Sequence, residues 1–187
     1  MKKKYLVLLI ILAGFVVLSC PSVPEADTSQ TQSPAPDPTS TTEAPGRPVI
    51  VGEVTQEKIN DALEQIYDAH RTNLDLSGAQ DYTVVRGDTL SQITRRYYGS
   101  LTDVGAAGTT NGFYFPLIML ASIESGIVDP DLIEIGMRLK VPDLKKNLAN
   151  PAARQAIIEC LRDVAYVYNR KGKPEEEAGL LRLANSL

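Results

Sequence analysis

The chain has 187 residues, with 19 Lys and Arg against 23 Asp and Glu, a formal charge of -4 at neutral pH. That balance excludes a basic nucleic-acid footprint and charge-driven capture of acidic polymers, and it is compatible with a neutral ligand. One histidine and two cysteines leave little for catalysis: no His, Cys and Asp grouping has metal-ligand spacing, and a Ser or Cys nucleophile would depend on that one histidine as its base. No cofactor, metal or catalytic residue is expected.

Lys2-Lys3-Lys4 precedes an uncharged apolar run over residues 5–18. A membrane span needs about 20 apolar residues, so the run reads as the core of a signal peptide. It closes Val17-Leu18-Ser19-Cys20, which resembles the lipobox of bacterial lipoproteins. The resemblance implies a signal peptide over residues 1–19 and acylation of Cys20, placing the protein on a membrane in the bacterial cell envelope, on its extracytoplasmic side. Two acyl signals on one residue anchor stably where a single chain binds only marginally. Losing the first nineteen residues removes three lysines and moves the formal charge from -4 to about -7. Cys160 is then the one remaining thiol, and no intramolecular disulfide is expected.

Residues 21–48 hold seven of the twelve prolines, many Ser and Thr, four acids and one arginine. Nothing there can bury a core, so residues 20–50 read as a disordered tether. It would span roughly 30 Å as a coil and about 90 Å in polyproline geometry.

A helical flank follows over residues 51–80. Thr55 suits the cap of a helix to about His70, with Ile59, Ala62, Leu63, Ile66 and His70 on one face. Residues 82–86 are β-rich, and Gly87-Asp88 is a turn pair. Thr89-Leu90-Ser91-Gln92 fits a capping box, and Leu90, Ile93, Tyr97 and Tyr98 form one apolar stripe behind it. Pro116 suits the first turn of a second helix, turning Leu117, Ile118 and Ala121 toward the first. Residues 138–141 alternate polar and apolar until Pro142 ends them. The fold class is therefore α+β: two antiparallel strands separated by two helices laid on one face, flanked by further helices.

YTVVRGDTLSQI followed by DPDLIEIGMRLKVP resembles a LysM domain, placed at residues 81–143. The resemblance covers about a third of the chain and implies binding to polymers of N-acetylglucosamine, chiefly peptidoglycan or chitin. Carried over, the glycan-binding loops are Gly87, Asp88, Thr89 and Leu90, then Asp129, Pro130, Asp131, Leu132 and Ile133. Backbone N–H groups at a helix start and turn carbonyls suit an acetamide, and Leu90, Leu132 and Ile133 could cover its methyl. The chain departs from the family pattern in a long link over residues 100–112, in Ser122 where Asn is common, and in Ile135 where Pro often precedes the glycine.

Residues 144–187 read as a helical hairpin that resembles one tetratricopeptide unit. Asn150-Pro151 starts the first helix, with Ala156, Ile157, Cys160, Leu161, Val164 and Val167 or Tyr168 apolar. Gly172 helps to end it, and Pro174 opens the second, with Ala178, Leu181 and Ala184 or Leu180 inward. One such unit cannot form an array, so its apolar faces must pack on the rest of the domain or on a protein partner. Two main readings stand: a lipoprotein that binds peptidoglycan through the LysM domain, or an envelope scaffold that binds a protein through its helices. A wall hydrolase or its activator is possible only through a partner. Asp129 and Asp131 are two carboxylates of the kind a glycosidase pairs, but Asp-Pro-Asp is a natural turn in a binding loop.

Overall fold

Thr55 lies in extended backbone, and its hydroxyl accepts the Lys58 N–H at 3.3 Å, which starts helix α1, Gln56–His70. A computed structural model describes residues 47–99 and 109–187. The expected signal peptide, Cys20, most of the tether and residues 100–108 of the long link lie outside the described residues. Helix α1 buries Ile59, Ala62, Leu63, Ile66 and Tyr67, whereas His70 at its end is only half-buried.

Strand β1, Gln80–Thr83, pairs antiparallel with β2, Arg138–Val141, Tyr82 opposite Leu139. β1 thus begins and ends earlier than the β-rich stretch 82–86. Two further backbone bonds continue past it, from Val84 N–H to Met137 O at 2.9 Å and from Gly136 N–H to Val84 O at 2.8 Å. The ladder then stops, because the Asp88 carboxylate takes the Val85 N–H at 2.9 Å and turns the chain. Gly87, at φ 88°, holds the left-handed position of that turn.

Helix α2, Leu90–Tyr98, carries the full capping box, with Thr89 and Gln92 bonding each other's N–H. Leu90, Ile93 and Tyr98 are buried as the stripe requires, Tyr97 is half-buried, and Thr94 is buried with them. A buried hydroxyl needs partners. Thr94 Oγ1 finds them 2.9 Å from Leu90 O and 3.0 Å from Gly112 O, binding α2 to the segment before the next helix. That helix, α3, Phe115–Ala121, has Pro116 in its first turn and is buried all round. It packs against α2, β2 and α1. Ser122 ends it, and its hydroxyl accepts the Lys140 N–H at 2.8 Å, tying α3 to β2.

A short helix not expected from the sequence, α4, Leu144–Ala149, begins at the Asp143 cap. Its buried Asn147 bonds both the N–H and the carbonyl of Asp75, at 2.9 and 3.0 Å, and so fixes the chain before β1. Asn150 caps α5, Pro151–Arg170, and Gly172 at φ 72° ends the connection to α6, Pro174–Ser186. α5 packs against α1, α3, α4 and α6, and Ala156, Ile157, Cys160, Leu161, Val164, Val167 and Tyr168 are all buried. On α6 the inward face is Gly179, Leu180, Leu183 and Ala184, with Ala178 and Leu181 half-buried at its sides. The rotation follows from Gly179. A Cβ there would lie 2.1 Å from Phe113 Cζ, so only a glycine admits that ring against the helix.

Segment 47–54 runs along α5. Arg47 Nε donates to Asp163 at 2.7 Å, Ile50 N–H to the Tyr166 hydroxyl at 3.1 Å, and Ile50 is itself buried.

Candidate functional site

The two loops named from the sequence meet across a cleft of about 240 Å³. Asp88, Thr89, Leu90 and Ser91 form one side, at the start of α2. Pro130, Asp131 and Ile133 form the other, in the turn before β2. The floor and far wall come from elsewhere: Phe113 and Phe115 at the entry to α3, Tyr168 near the end of α5, and Glu176 in the first turn of α6.

Of the nine residues expected to bind glycan, Asp88, Thr89, Leu90, Pro130, Asp131 and Ile133 line this cleft, and Gly87, Asp129 and Leu132 do not. Leu90 is 3% exposed and presents only an edge. Leu132 is 55% exposed on the outer side of its turn, so it is not part of the core. Asp129 is 4% exposed, with both oxygens occupied. It meets Lys171 Nζ at 2.9 Å from each oxygen, accepts Gln56 Nε2 at 2.7 Å, and accepts the Asp131 N–H at 3.0 Å.

Asp131 is the polar centre of the cleft. Its carboxylate accepts the Tyr168 hydroxyl at 3.1 Å and Lys173 Nζ at 2.8 Å, with Lys171 Nζ also bound. Burial pushes this carboxyl up, but the two lysines outweigh it and hold it below the ordinary aspartate range. Asp88 is likewise held low, first by the Tyr82 hydroxyl at 2.6 Å and then by the Val85 N–H. Arg96 lies 5.6 Å over the Tyr82 ring and donates to its hydroxyl at 2.7 Å, locking the first loop from outside. Both carboxylates are thus charged, fixed and partly neutralised. The capping box uses the Thr89 and Gln92 N–H groups, and those of Leu90 and Ser91 have no partner among the described residues. Two free amides, two restrained carboxylates and Phe113, the half-buried ring of an otherwise buried aromatic wall, can donate, accept and cover a C–H face, as an acetylated sugar demands.

A larger cavity of about 510 Å³ lies beside the ladder, lined by Tyr82, Ser122, Glu124, Arg138 and Lys140 among others. It has charges of both signs and no aromatic wall beyond Tyr82, and neither expected loop reaches it.

The family model for the LysM domain matches residues 82–142. These residues are a LysM domain. LysM family membership points to binding of peptidoglycan or chitin-type glycans. Curated relatives include a protein named as an esterase in each of two strains of Mycobacterium tuberculosis, 38% identical over 65 residues. That match covers 35% of this chain and 11% of the relatives, so the chain spans a small part of their length. No solved structure matches significantly. Tyr168 and Glu176 lie beyond the LysM domain, and no local pattern marked them as site residues. The aromatic pair Phe113 and Phe115, flanking the second LysM helix, was a legible signal that sequence reasoning passed over.

Among the described residues, no group of three or more His, Cys, Asp and Glu is placed to hold a metal. No described helix is long and apolar enough to cross a membrane.

Proposed function

We propose that the protein is a non-catalytic, lipid-anchored binder of peptidoglycan that grips N-acetylglucosamine units in the cleft between the two LysM loops. The observation that carries this reading is the convergence of free helix-start amides, restrained carboxylates and aromatic rings on one groove. The tether and the resemblance of Val17-Leu18-Ser19-Cys20 to a lipobox supply the anchoring part. A membrane-held chain with a wall-binding module beyond a Pro-, Ser- and Thr-rich spacer joins two layers of an envelope.

The scaffold reading needs an unpartnered helical face, and the apolar stripes of α5 and α6 are spent on α1, α3 and each other. Ester hydrolysis, the activity named for the mycobacterial relatives, finds no support in the chemistry here. Among the described residues no serine hydroxyl bonds His70, whose Nε2 meets Asp163 at 3.1 Å, and burial pushes the Cys160 thiol well up, away from thiolate chemistry.

The test is co-sedimentation of the full-length protein with purified insoluble peptidoglycan and with chitin. Retention on either above a cellulose control is expected. Recovery entirely in the supernatant from all three would refute glycan binding.

A further inference from the structure

The cleft is not confined to the LysM domain. Tyr168 and Glu176 come from the C-terminal hairpin, and the hairpin is clamped to the second loop by Lys171 on Asp129 and Asp131, by Lys173 on Asp131, and by the Tyr168 hydroxyl on Asp131. Phe113, which lies in the cleft wall, rests against α6 in the space left by Gly179. We propose that the hairpin completes the saccharide site, with Glu176 accepting a hydroxyl of the bound N-acetylglucosamine unit and Phe113 covering its C–H face. This deepens the glycan reading and rests on it.

The chemistry favours Glu176 over its neighbours. Asp131 has its lone pairs engaged by two lysines and a tyrosine, and Asp88 by Tyr82, Val85 and Arg96. Glu176 is half-buried at the rim, with no hydrogen bond or ion pair to another described residue. Glu177 is bound to Asn169 at 2.7 Å, and Glu175 is exposed outside the cleft. Glu176 is therefore the cleft carboxylate left to accept a neutral donor, and sugar hydroxyls are such donors. The three acids share the first turn of α6, where the helix dipole favours negative charge.

The experiment is calorimetric titration of the full-length protein in detergent with the tetramer of N-acetylglucosamine, beside Glu176→Gln and Glu175→Gln. Glu176→Gln keeps an acceptor oxygen and loses the charge assistance, so a loss of about fivefold is expected for it and a change within about twofold for Glu175→Gln. Equal affinity of wild type and a folded Glu176→Gln overturns the composite site while leaving glycan binding intact. No binding by the wild type itself overturns both. Amide shifts give an independent readout that does not depend on the variant folding: on titration of the wild type, signals from residues 175–179 must move with those of residues 88–91. Shifts confined to the LysM loops overturn the proposal.

Discussion

Lys171 Nζ stands 2.9 Å from each carboxylate oxygen of Asp129. The two residues come from different parts of the chain, the turn after α5 and the loop before β2, and both are nearly inaccessible. Gln56 from α1 joins the same carboxylate at 2.7 Å. One buried aspartate therefore staples the N-terminal flank, the LysM loop and the C-terminal hairpin together. Lys171 also lies 5.0 Å over the Tyr168 ring, which fixes that ring at the back of the cleft.

Removing the cation should be costly. Lys171→Met leaves Asp129 buried without its charge partner, and such a break costs about 3–5 kcal/mol. The lower end is expected because Gln56 and the Asp131 N–H still bond the carboxylate. Urea unfolding of wild type and variant measures it. A difference below about 1 kcal/mol would show that the staple contributes little.

Acid should loosen the domain in a defined window. Asp131, Asp88 and Asp163 all have folded pKa values below the ordinary one. A depressed folded pKa means that stability is fully present above the unfolded value, about 3.9, and is lost as pH falls through the folded values. Thermal midpoints should be flat in this respect above about pH 5 and fall steadily below about pH 4. Asp131→Asn should reduce that slope. An identical acid slope in the variant would remove Asp131 from the account.

Much of the fold was readable because its determinants are local. Thr89 with Gln92, Thr55 and Asn150 each act within three residues of their own position, and the alternation of 138–141 needs no partner to be recognised. Helix α4 was not readable, since six residues cannot display a 3.6-residue period. Loop positions were legible in the site, and loop functions less so. Whether Asp129 faces a ligand or a lysine depends on a turn forty-two residues away, and no spacing rule carries that information. The same distance hid Tyr168 and Glu176.

Gly179→Ala tests the seat of Phe113. The added methyl would meet three ring carbons at 2.1 to 2.5 Å. Overpacking costs about 1–3 kcal/mol, partly offset by the roughly 1 kcal/mol that alanine gains over glycine in a helix. Net destabilisation of about 1 kcal/mol is expected, with weaker binding of chitin oligomers because the wall has moved. A more stable variant of unchanged affinity would mean that the ring yields freely and does not shape the cleft.

Anchoring is tested at Cys20. Mass spectrometry of the mature protein should find that residue acylated at the N-terminus, and Cys20→Ala should give a released or unprocessed chain. An unmodified Cys20 in membrane-bound wild type would end the lipoprotein reading while leaving the glycan cleft untouched.

Adjacent residues of the second loop separate cleft from surface. Ile133 is half-buried and lines the cleft, whereas Leu132 is 55% exposed and faces away from it. A carboxylate at Ile133 replaces an apolar contact to the sugar with a charge beside Asp131. Losing such a contact is worth about 1.5–3 kcal/mol, roughly ten- to a hundredfold in affinity. Leu132→Asp should leave both stability and affinity within about 0.5 kcal/mol, as exposed substitutions do. Gly87→Ala serves as a conformational control. Its space is open but its φ is 88°, so strain of about 1–2 kcal/mol should lower stability while a sugar contacting Thr89 and Ser91 binds as before. Titration of the three folded variants with a chitin oligomer should therefore rank Ile133→Asp far below the other two. If Leu132→Asp is the variant that loses affinity, the sugar lies on the outer face of the turn, and the cleft between the loops is not its seat.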